Sequence, residues 1–237
     1  MNRTWDVIVL GVGGVGSATL YHLAARGLRV LGVEQFEPGH ALGSSHGQTR
    51  IIRKAYFEHP DYVPLLMRSY ELWDELQATE HRQDLFVRSG LLQVGPPGGV
   101  VVPGVLASAA RHGLDLEAVG AEEGARRFPS FRLDQGMAAV FEKDAGFLRV
   151  EDCVLAHVRQ ATACGAEVLS GVTVEDWTSD SEGVEVMTSE GLLTAGALVV
   201  TAGAWAPQLL APLGLRMRIL RKQLFWLAAR SGGQGVD

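Results

Sequence analysis

This sequence is poor in cysteine, has no long uninterrupted apolar run and carries no excess of basic residues. Its two cysteines, Cys153 and Cys164, are too few for a disulfide framework and lack a metal-ligand spacing. We therefore expect no metal site and a reducing, cytoplasmic compartment. The apolar run 7–10 stops at Gly11 and no basic leader precedes it, so neither a secretory signal nor a membrane span is predicted. The net charge of −6 argues against a general nucleic-acid-binding protein.

The composition is that of a folded protein, with 47% hydrophobic and 20% charged residues, enough for one large domain or two small ones. The first 34 residues predict a strand, a helix and a second strand. Residues 5–10 are apolar and rich in β-branched side chains, residues 17–26 have apolar positions at helical spacing, and residues 29–33 form another apolar run. A helix between two such strands predicts a parallel pair.

A glycine motif lies between the first predicted strand and the helix. Gly11, Gly13 and Gly16 match G-x-G-x-x-G, and Glu34 ends the second strand. In this context Gly11 permits a tight turn, Gly13 lets the backbone approach a pyrophosphate, and Gly16 lets the helix pack closely on the sheet. The helix amino terminus would attract the phosphates, and the Glu34 carboxylate would accept hydrogen bonds from ribose hydroxyls while repelling a 2′-phosphate. The pattern predicts a site for FAD or NAD.

The segment after Glu34 favours FAD. Residues 35–48 read as a long loop, which in a compact domain is usually functional. Residues 43–56, GSSHGQTRIIRKAY, resemble a signature of the sarcosine oxidase family of flavoenzymes, and 46–56 is the most specific part. The similarity recurs at 62–65, 71–73, 89–92, 172–175 and 201–205, so it spans nearly the whole chain.

The resemblance implies roles for individual residues. Arg50 would lie over the isoalloxazine ring and stabilise negative charge on reduced flavin. Arg53 would bind the substrate carboxylate with its guanidinium fork, and Tyr56 would border the same pocket. Together with the glycine motif, the resemblance implies contacts to the flavin nucleotide from Gly11, Gly13, Gly14, Val15, Gly16, Glu34, Gln35, Ser44, Ser45, His46, Thr49, Arg50, Ile51, Val174, Ala202, Gly203 and Trp205.

The expected fold is α/β: a Rossmann-like FAD-binding domain and part of an α+β substrate domain with a mixed sheet. We expect the FAD-binding domain at 1–85 and 150–216, and the substrate domain at 86–149 and 217–237. Further helices are predicted at 61–79, 104–112, Ala121–Arg127 and 151–162, and strands at 85–94, 137–141, near 147, 167–186, 198–201 and 217–227. Tyr62 and Trp73 of the first of these helices are expected in the core.

The resemblance implies oxidation of a small secondary amino acid, such as sarcosine, another N-methyl amino acid or pipecolate. Dioxygen would reoxidise FAD and give hydrogen peroxide, and the full-length protein would be a monomer that binds neither nucleic acid nor membrane. Family members are longer, so we expect a truncated chain that is inactive alone, without covalent flavin because neither cysteine matches the attachment position. Three alternatives stay open: an NAD-dependent dehydrogenase, a non-catalytic FAD-binding fragment or subunit, and an oxidase of the D-amino acid or glycine type.

Overall fold

The computed structural model describes residues 5–131, 133–223 and 225. Its strands, in chain order, are β1 Trp5–Leu10, β2 Val30–Glu34, β3 Thr49–Ile52, β4 Phe86–Val87, β5 Leu91–Gly95, β6 Glu117–Val119, β7 Ala138–Glu142, β8 Gly146–Arg149, β9 Glu167–Ser170, β10 Val174–Ser179, β11 Val184–Thr188 and β12 Gly191–Val200. The helices are α1 Gly14–Ala24, α2 Val63–Thr79, α3 Val101–His112, α4 Ala121–Arg127, α5 Val150–Ala163 and α6 Ala206–Leu209.

The described residues form two compact units, and the chain passes from the first to the second, returns to the first and enters the second again at residue 223. The first unit comprises 5–49 and 149–222. The second comprises 50–131, 133–148, 223 and 225. The sequence prediction placed the first boundary at 85/86, whereas this division falls at 49/50. Residues 50–85, including Arg50, Arg53 and Tyr56, therefore lie in the second unit.

The first unit is built on a six-stranded sheet with the order β10-β11-β12-β1-β2-β9. The strands from β12 to β9 are parallel, whereas β10, β11 and β12 pair antiparallel, so the sheet is mixed. Side chains alternate between its faces. Val7 and Val9 pack with Leu20 of α1 on one face, and Ile8 and Leu10 join a second apolar cluster. The predicted α/β fold with a parallel strand–helix–strand unit is confirmed.

The second unit contains two three-stranded sheets, β3-β8-β4 and β5-β7-β6, together with α2, α3 and α4. Two apolar clusters stabilise it. Ala55, Val102, Val105 and Val140 form the first cluster. Ile52, Tyr70 and Phe86 form the second, with Trp73 packed against it.

Several predicted boundaries were wrong. Helix α1 begins at Gly14 rather than residue 17 and ends at Ala24, so Gly16, the last glycine of the motif, lies in its first turn. Helix α3 begins at Val101, three residues early, because Pro103 is tolerated in a first turn, where backbone N–H groups need no intrahelical partner. Strands β3 and β6 were not predicted.

Two larger predictions also failed. A strand was expected at 217–227, but residues 217–223 and 225 have no regular structure; the rest of that range lies outside the described residues. The range contains several apolar residues between its basic ones, but a strand needs a partner to hydrogen-bond its backbone. Tyr62 was expected in the core but is 49% exposed, because it lies in a 3₁₀ turn before α2 and its ring contacts Tyr56.

Candidate cofactor site and carboxylate-binding segment

The turn between β1 and α1 is compact because its glycines leave no room for side chains. Gly11 has a φ of +90°, a conformation that favours glycine, and a Cβ there would lie 2.8 Å from Thr201 O. A Cβ on Gly16 would overlap the carbonyl oxygen of Gly11. Gly13 differs, because its Cβ would meet only Ser45 Oγ, at 3.5 Å. Gly11 and Gly16 therefore build the turn, while Gly13 leaves its surface open.

Thr201, which follows β12, holds this turn from the neighbouring strand. Its backbone N–H donates to Leu10 O at 2.8 Å. Its hydroxyl lies 3.0 Å from Leu10 O and 2.7 Å from Gly11 O. The carboxyl ends of β1 and β12 are thereby tied together, at the edge where open α/β sheets bind ligands.

Glu34 lies at the end of β2 with both carboxylate oxygens in use. Oε2 accepts the N–H of Val12 at 2.8 Å, and Oε1 accepts the N–H of Phe36 at 3.1 Å. His40 Nε2 lies 3.5 Å from Oε1, and the Glu34 side chain is only 5% exposed. Each carboxylate oxygen can accept more than one hydrogen bond, so ribose hydroxyls can still be bound.

Ser45 lies at the amino terminus of α1. Its Oγ accepts the N–H of Gly14 at 2.8 Å, one of the donors that have no partner within the helix. Gly13 is the N-cap residue and offers no side-chain cap. The start of α1 therefore combines free backbone donors, a positive dipole end and a hydroxyl group, which are suited to a diphosphate.

A pocket of about 240 Å³ opens over these groups, entirely within the first unit. Most of the predicted cofactor residues line it: Gly11, Gly13, Gly14, Val15, Glu34, Gln35, Ser44, Ser45, Val174, Ala202, Gly203 and Trp205. Gly16, His46 and Thr49 belong to the same unit but do not line the pocket, and Arg50 and Ile51 belong to the second unit. All of the predicted cofactor contacts, including those that line the pocket, stay predictions.

Sequence reasoning missed several residues of this site. His40, Val172, Thr173, Thr201 and Gln208 line the pocket as well. His40 packs against Phe36, whose ring also contacts Trp205 at 5.8 Å between centroids. The available signal for His40 is its place in the long loop after Glu34. Gln35, Ser44, Ser45 and His46 of that loop were predicted as cofactor contacts, whereas His40 was not.

Glu151, also missed, anchors the loop that carries His46. Its Oε1 accepts the N–H groups of Gly47 at 2.7 Å and Gln48 at 3.2 Å. Burial would raise the pKa of this carboxyl. The N–H groups of Gln48, Glu151 itself and Gly47, together with His46, outweigh burial and hold the pKa below its ordinary value. Glu151 therefore stays ionised and keeps the loop in place, although Gln48 has a φ of +69°.

The predicted substrate-binding residues lie together in the second unit. The guanidinium carbon of Arg53 lies 4.3 Å from the ring centroid of Tyr56 and 5.4 Å from that of Phe57. Arg53 Nη2 bonds the Glu58 carboxylate at 3.2 and 3.3 Å, and the Arg53 side chain is 16% exposed. Arg53 Nε is buried without a hydrogen-bond partner. A cation held in this way can bind a carboxylate.

The residues around the pocket fit a flavin dinucleotide. Backbone donors and a hydroxyl lie at the helix start, a buried carboxylate lies at the end of β2, and Gly13 allows close approach. The profile of the family described as FAD dependent oxidoreductase matches residues 6–236. The chain belongs to this FAD dependent oxidoreductase family. Membership indicates FAD as its cofactor and confirms the predicted class of flavoenzyme.

Curated relatives of this oxidoreductase include sarcosine oxidases. It is 47% identical to monomeric sarcosine oxidase of Streptomyces avermitilis over 98% of this chain and 60% of the relative. The identity is 40% with monomeric sarcosine oxidase of Bacillus sp. (strain B-0618), over 91% of this chain and 55% of the relative. The identity with N-methyl-L-tryptophan oxidase of Salmonella newport is 36%, over 95% of this chain and 60% of the relative. The resemblance to the sarcosine oxidase family is confirmed, and the chain spans 55–60% of the length of these relatives.

Solved structures agree on the fold of this oxidoreductase. NikD, an unusual amino acid oxidase essential for nikkomycin biosynthesis, matches with a TM-score of 0.81 and 30% identity, over 91% of this chain and 55% of NikD. Glycine oxidase from Geobacillus kaustophilus matches with a TM-score of 0.75 and 24% identity, over 90% of this chain and 59% of the glycine oxidase. Across 5–131, 133–223 and 225, no helix is both long and apolar enough to cross a bilayer. Those residues also contain no group of three or more acidic, histidine or cysteine side chains arranged to hold a metal ion.

Replacing Glu34 by Gln tests the ribose assignment. We expect FAD affinity to fall by about 10- to 100-fold, because a hydrogen bond to a charged acceptor contributes about 1.5–3 kcal/mol. The dissociation constant is measured by quenching of flavin fluorescence. Glu37→Gln is the matched control, since Glu37 lies in the same loop but is exposed. Equal flavin affinity for Glu34→Gln and the unaltered chain would contradict the assignment.

Proposed function

We propose that this protein takes part in the FAD-dependent oxidation of a small secondary amino acid by dioxygen, giving an imine and hydrogen peroxide. The observation that carries the proposal is that one chain contains both features: a FAD-type pocket in the first unit and a stacked, partly buried Arg53 in the second. The names of the most similar curated relatives, sarcosine and N-methyl-L-tryptophan oxidases, support the same substrate class.

Arg53 supplies recognition of the substrate carboxylate. Its guanidinium already bonds the carboxylate of Glu58, which is 43% exposed, through one nitrogen only. A substrate carboxylate offers the same acceptor chemistry and can bind both edges of the fork. Stacking on Tyr56 and Phe57 keeps the fork oriented and lowers the entropy lost on binding. The carboxylate of an amino acid would thus be held while its amine end remains free to react.

The chemistry divides between protein and cofactor. When bound, FAD would accept the two electrons released as the C–H bond beside the amine nitrogen is broken, and dioxygen would take up those two electrons with two protons to give hydrogen peroxide. The imine product then reacts with water. The chain contributes binding and orientation through the α1 amino terminus, Glu34 and Arg53, and we propose that Arg50 adds positive charge near the flavin ring.

The proposal is tested on the purified full chain. We expect a yellow protein with flavin absorbance. Hydrogen peroxide released on adding sarcosine or pipecolate would support the oxidase reaction and would overturn the expectation that the chain is inactive alone. An amine lacking a carboxylate, such as dimethylamine, is the matched control and should release none. A colourless preparation that binds NADH would favour a dehydrogenase, and a yellow one that releases no peroxide with any amino acid would favour the non-catalytic FAD-binding fragment.

The finer assignments belong to the same proposal. The substrate set comprises sarcosine, other N-methyl amino acids and pipecolate, and the likeness to glycine oxidase, which rests on fold alone, keeps an oxidase of the D-amino acid or glycine type as the second candidate. We also propose a monomeric protein of the cytoplasm, in line with the word monomeric in the names of its relatives and with its low cysteine content of two residues.

A further inference from the structure

Glu142, at the end of β7, is a buried carboxylate that the proposed reaction does not use. The residue is only 2% exposed. Its Oε1 accepts the N–H of Lys54 at 2.7 Å, and its Oε2 accepts the N–H of Ala55 at 3.2 Å. Burying a carboxylate is unfavourable unless both oxygens are satisfied, so this arrangement specifies an acid here.

The two amides that Glu142 holds lie between Arg53 and the rings on which its guanidinium stacks. Arg53 precedes Lys54, while Tyr56 and Phe57 follow Ala55. The direction of the Arg53 fork therefore depends on the backbone course through residues 54 and 55. Lys54 cannot supply this restraint with its side chain alone, because its ammonium group bonds Asp144 at 2.9 Å and is 25% exposed.

Helix α3 holds the same segment from another side. Ser108, which is fully buried, donates its hydroxyl to Tyr56 O at 2.5 Å. A Cβ on Gly104 would overlap Phe57 O, so the helix lies directly on this backbone. Ala55 is itself buried in the core of the unit. The segment is thus fixed at consecutive residues, and Glu142 supplies the charged part of that restraint.

We propose that Glu142 is a positioning residue, which orients Arg53 for carboxylate binding by fixing the backbone of Lys54 and Ala55. This rests on the proposed function of Arg53 as the carboxylate-binding group. Glu142 acts through the backbone and does not touch the substrate. A Gln in its place keeps the volume but presents an NH₂ group to one of the two N–H donors, so one hydrogen bond is lost.

The test follows Arg53 directly, on the full chain, by its rate of modification with phenylglyoxal and by protection with acetate. In Glu142→Gln we expect modification about five- to tenfold faster than in the unaltered chain and acetate binding weaker by a similar factor, as one lost hydrogen bond implies. Gln77→Ala is the matched control, because Gln77 is equally buried in the same unit and accepts the N–H of Phe86. It should lower thermal stability without changing modification of Arg53.

The outcomes separate this inference from the function on which it rests. If Arg53→Ala binds acetate as well as the unaltered chain, the proposed function of Arg53 fails. If Arg53→Ala loses acetate binding while Glu142→Gln keeps normal affinity and labelling, only the role of Glu142 is overturned. If Glu142→Gln does not fold, amide exchange of the unaltered chain decides: acetate should slow exchange at Lys54 and Ala55, since coupling is reciprocal, and unchanged rates would overturn the proposal.

Discussion

Arg53→Ala is expected to weaken carboxylate binding by about 30-fold to several thousand-fold, since removing one partner of a desolvated charge pair costs about 2–5 kcal/mol. The measurement is the dissociation constant of acetate, or KM for sarcosine if the chain turns over. The dissociation constant of Arg53→Lys should lie between those of the unaltered chain and Arg53→Ala, because an ammonium group keeps the charge but loses the planar fork and the stacking on Tyr56.

Two variants of the same unit serve as controls for this result. Arg68→Ala removes another arginine, one that ion-pairs with Glu71 and Glu75 on α2 and is 55% exposed, and it should leave acetate affinity unchanged. Glu58→Gln removes the carboxylate now bonded to Arg53 and should strengthen acetate binding, because the competing anion is gone. Equal losses in Arg53→Ala and Arg68→Ala would indicate a general charge effect and reject the assignment.

Gly13→Ala and Gly16→Ala are expected to lose different properties: Gly13→Ala loses FAD affinity and Gly16→Ala loses stability. A methyl group on Gly16 overlaps the backbone of Gly11, so we expect a cost of about 3 kcal/mol and a Tm lower by roughly 6–12 °C. Gly13 has a φ of −74°, and its methyl group would meet only Ser45 Oγ. Gly13→Ala should therefore keep its flavin-free Tm while losing about 100-fold in FAD affinity, because the methyl covers the surface that a pyrophosphate approaches.

The two properties are measured separately, Tm by calorimetry of the flavin-free chain and FAD affinity by fluorescence quenching. Gly120→Ala is a control for the loss of a glycine, because a Cβ there meets nothing within 4 Å. Gly13→Ala that binds FAD normally would mean that the cofactor does not approach this turn.

The strand–helix–strand unit and its acid could be predicted because their signals are local. Gly11, Gly13 and Gly16 lie next to the strand and helix that they join, and Glu34 ends the following strand, so a motif of fixed spacing captures their geometry. The resemblance of residues 43–56 extended this to Ser44 and Ser45, which line the pocket. Local signals thus predicted the residues near the motif, and the family resemblance also predicted Val174, Ala202, Gly203 and Trp205, which line the pocket far from the motif in sequence.

The other parts of the site depend on contacts between distant residues. Glu151 reaches a loop more than 100 residues earlier in the chain, and Glu142 reaches one 88 residues earlier. An isolated acid in a helix or strand carries no sign of such a partner. The strand expected at 217–227 failed for a related reason, since apolar character predicts burial but not the neighbour that would provide it.

The bonds from Thr201 to Leu10 and Gly11 join residues 191 and 190 positions apart. During synthesis, the glycine turn leaves the ribosome long before β12 exists. Gly11 can donate its N–H to Val33 O early, but the bonds from Thr201 form only when most of the chain has been made. Such non-local pairing slows folding and leaves the edge of β1 that faces β12 unpaired in the meantime. A nascent chain should therefore bind its flavin only after β12 has joined the sheet. Cofactor binding is then a late step in the synthesis and folding of this protein.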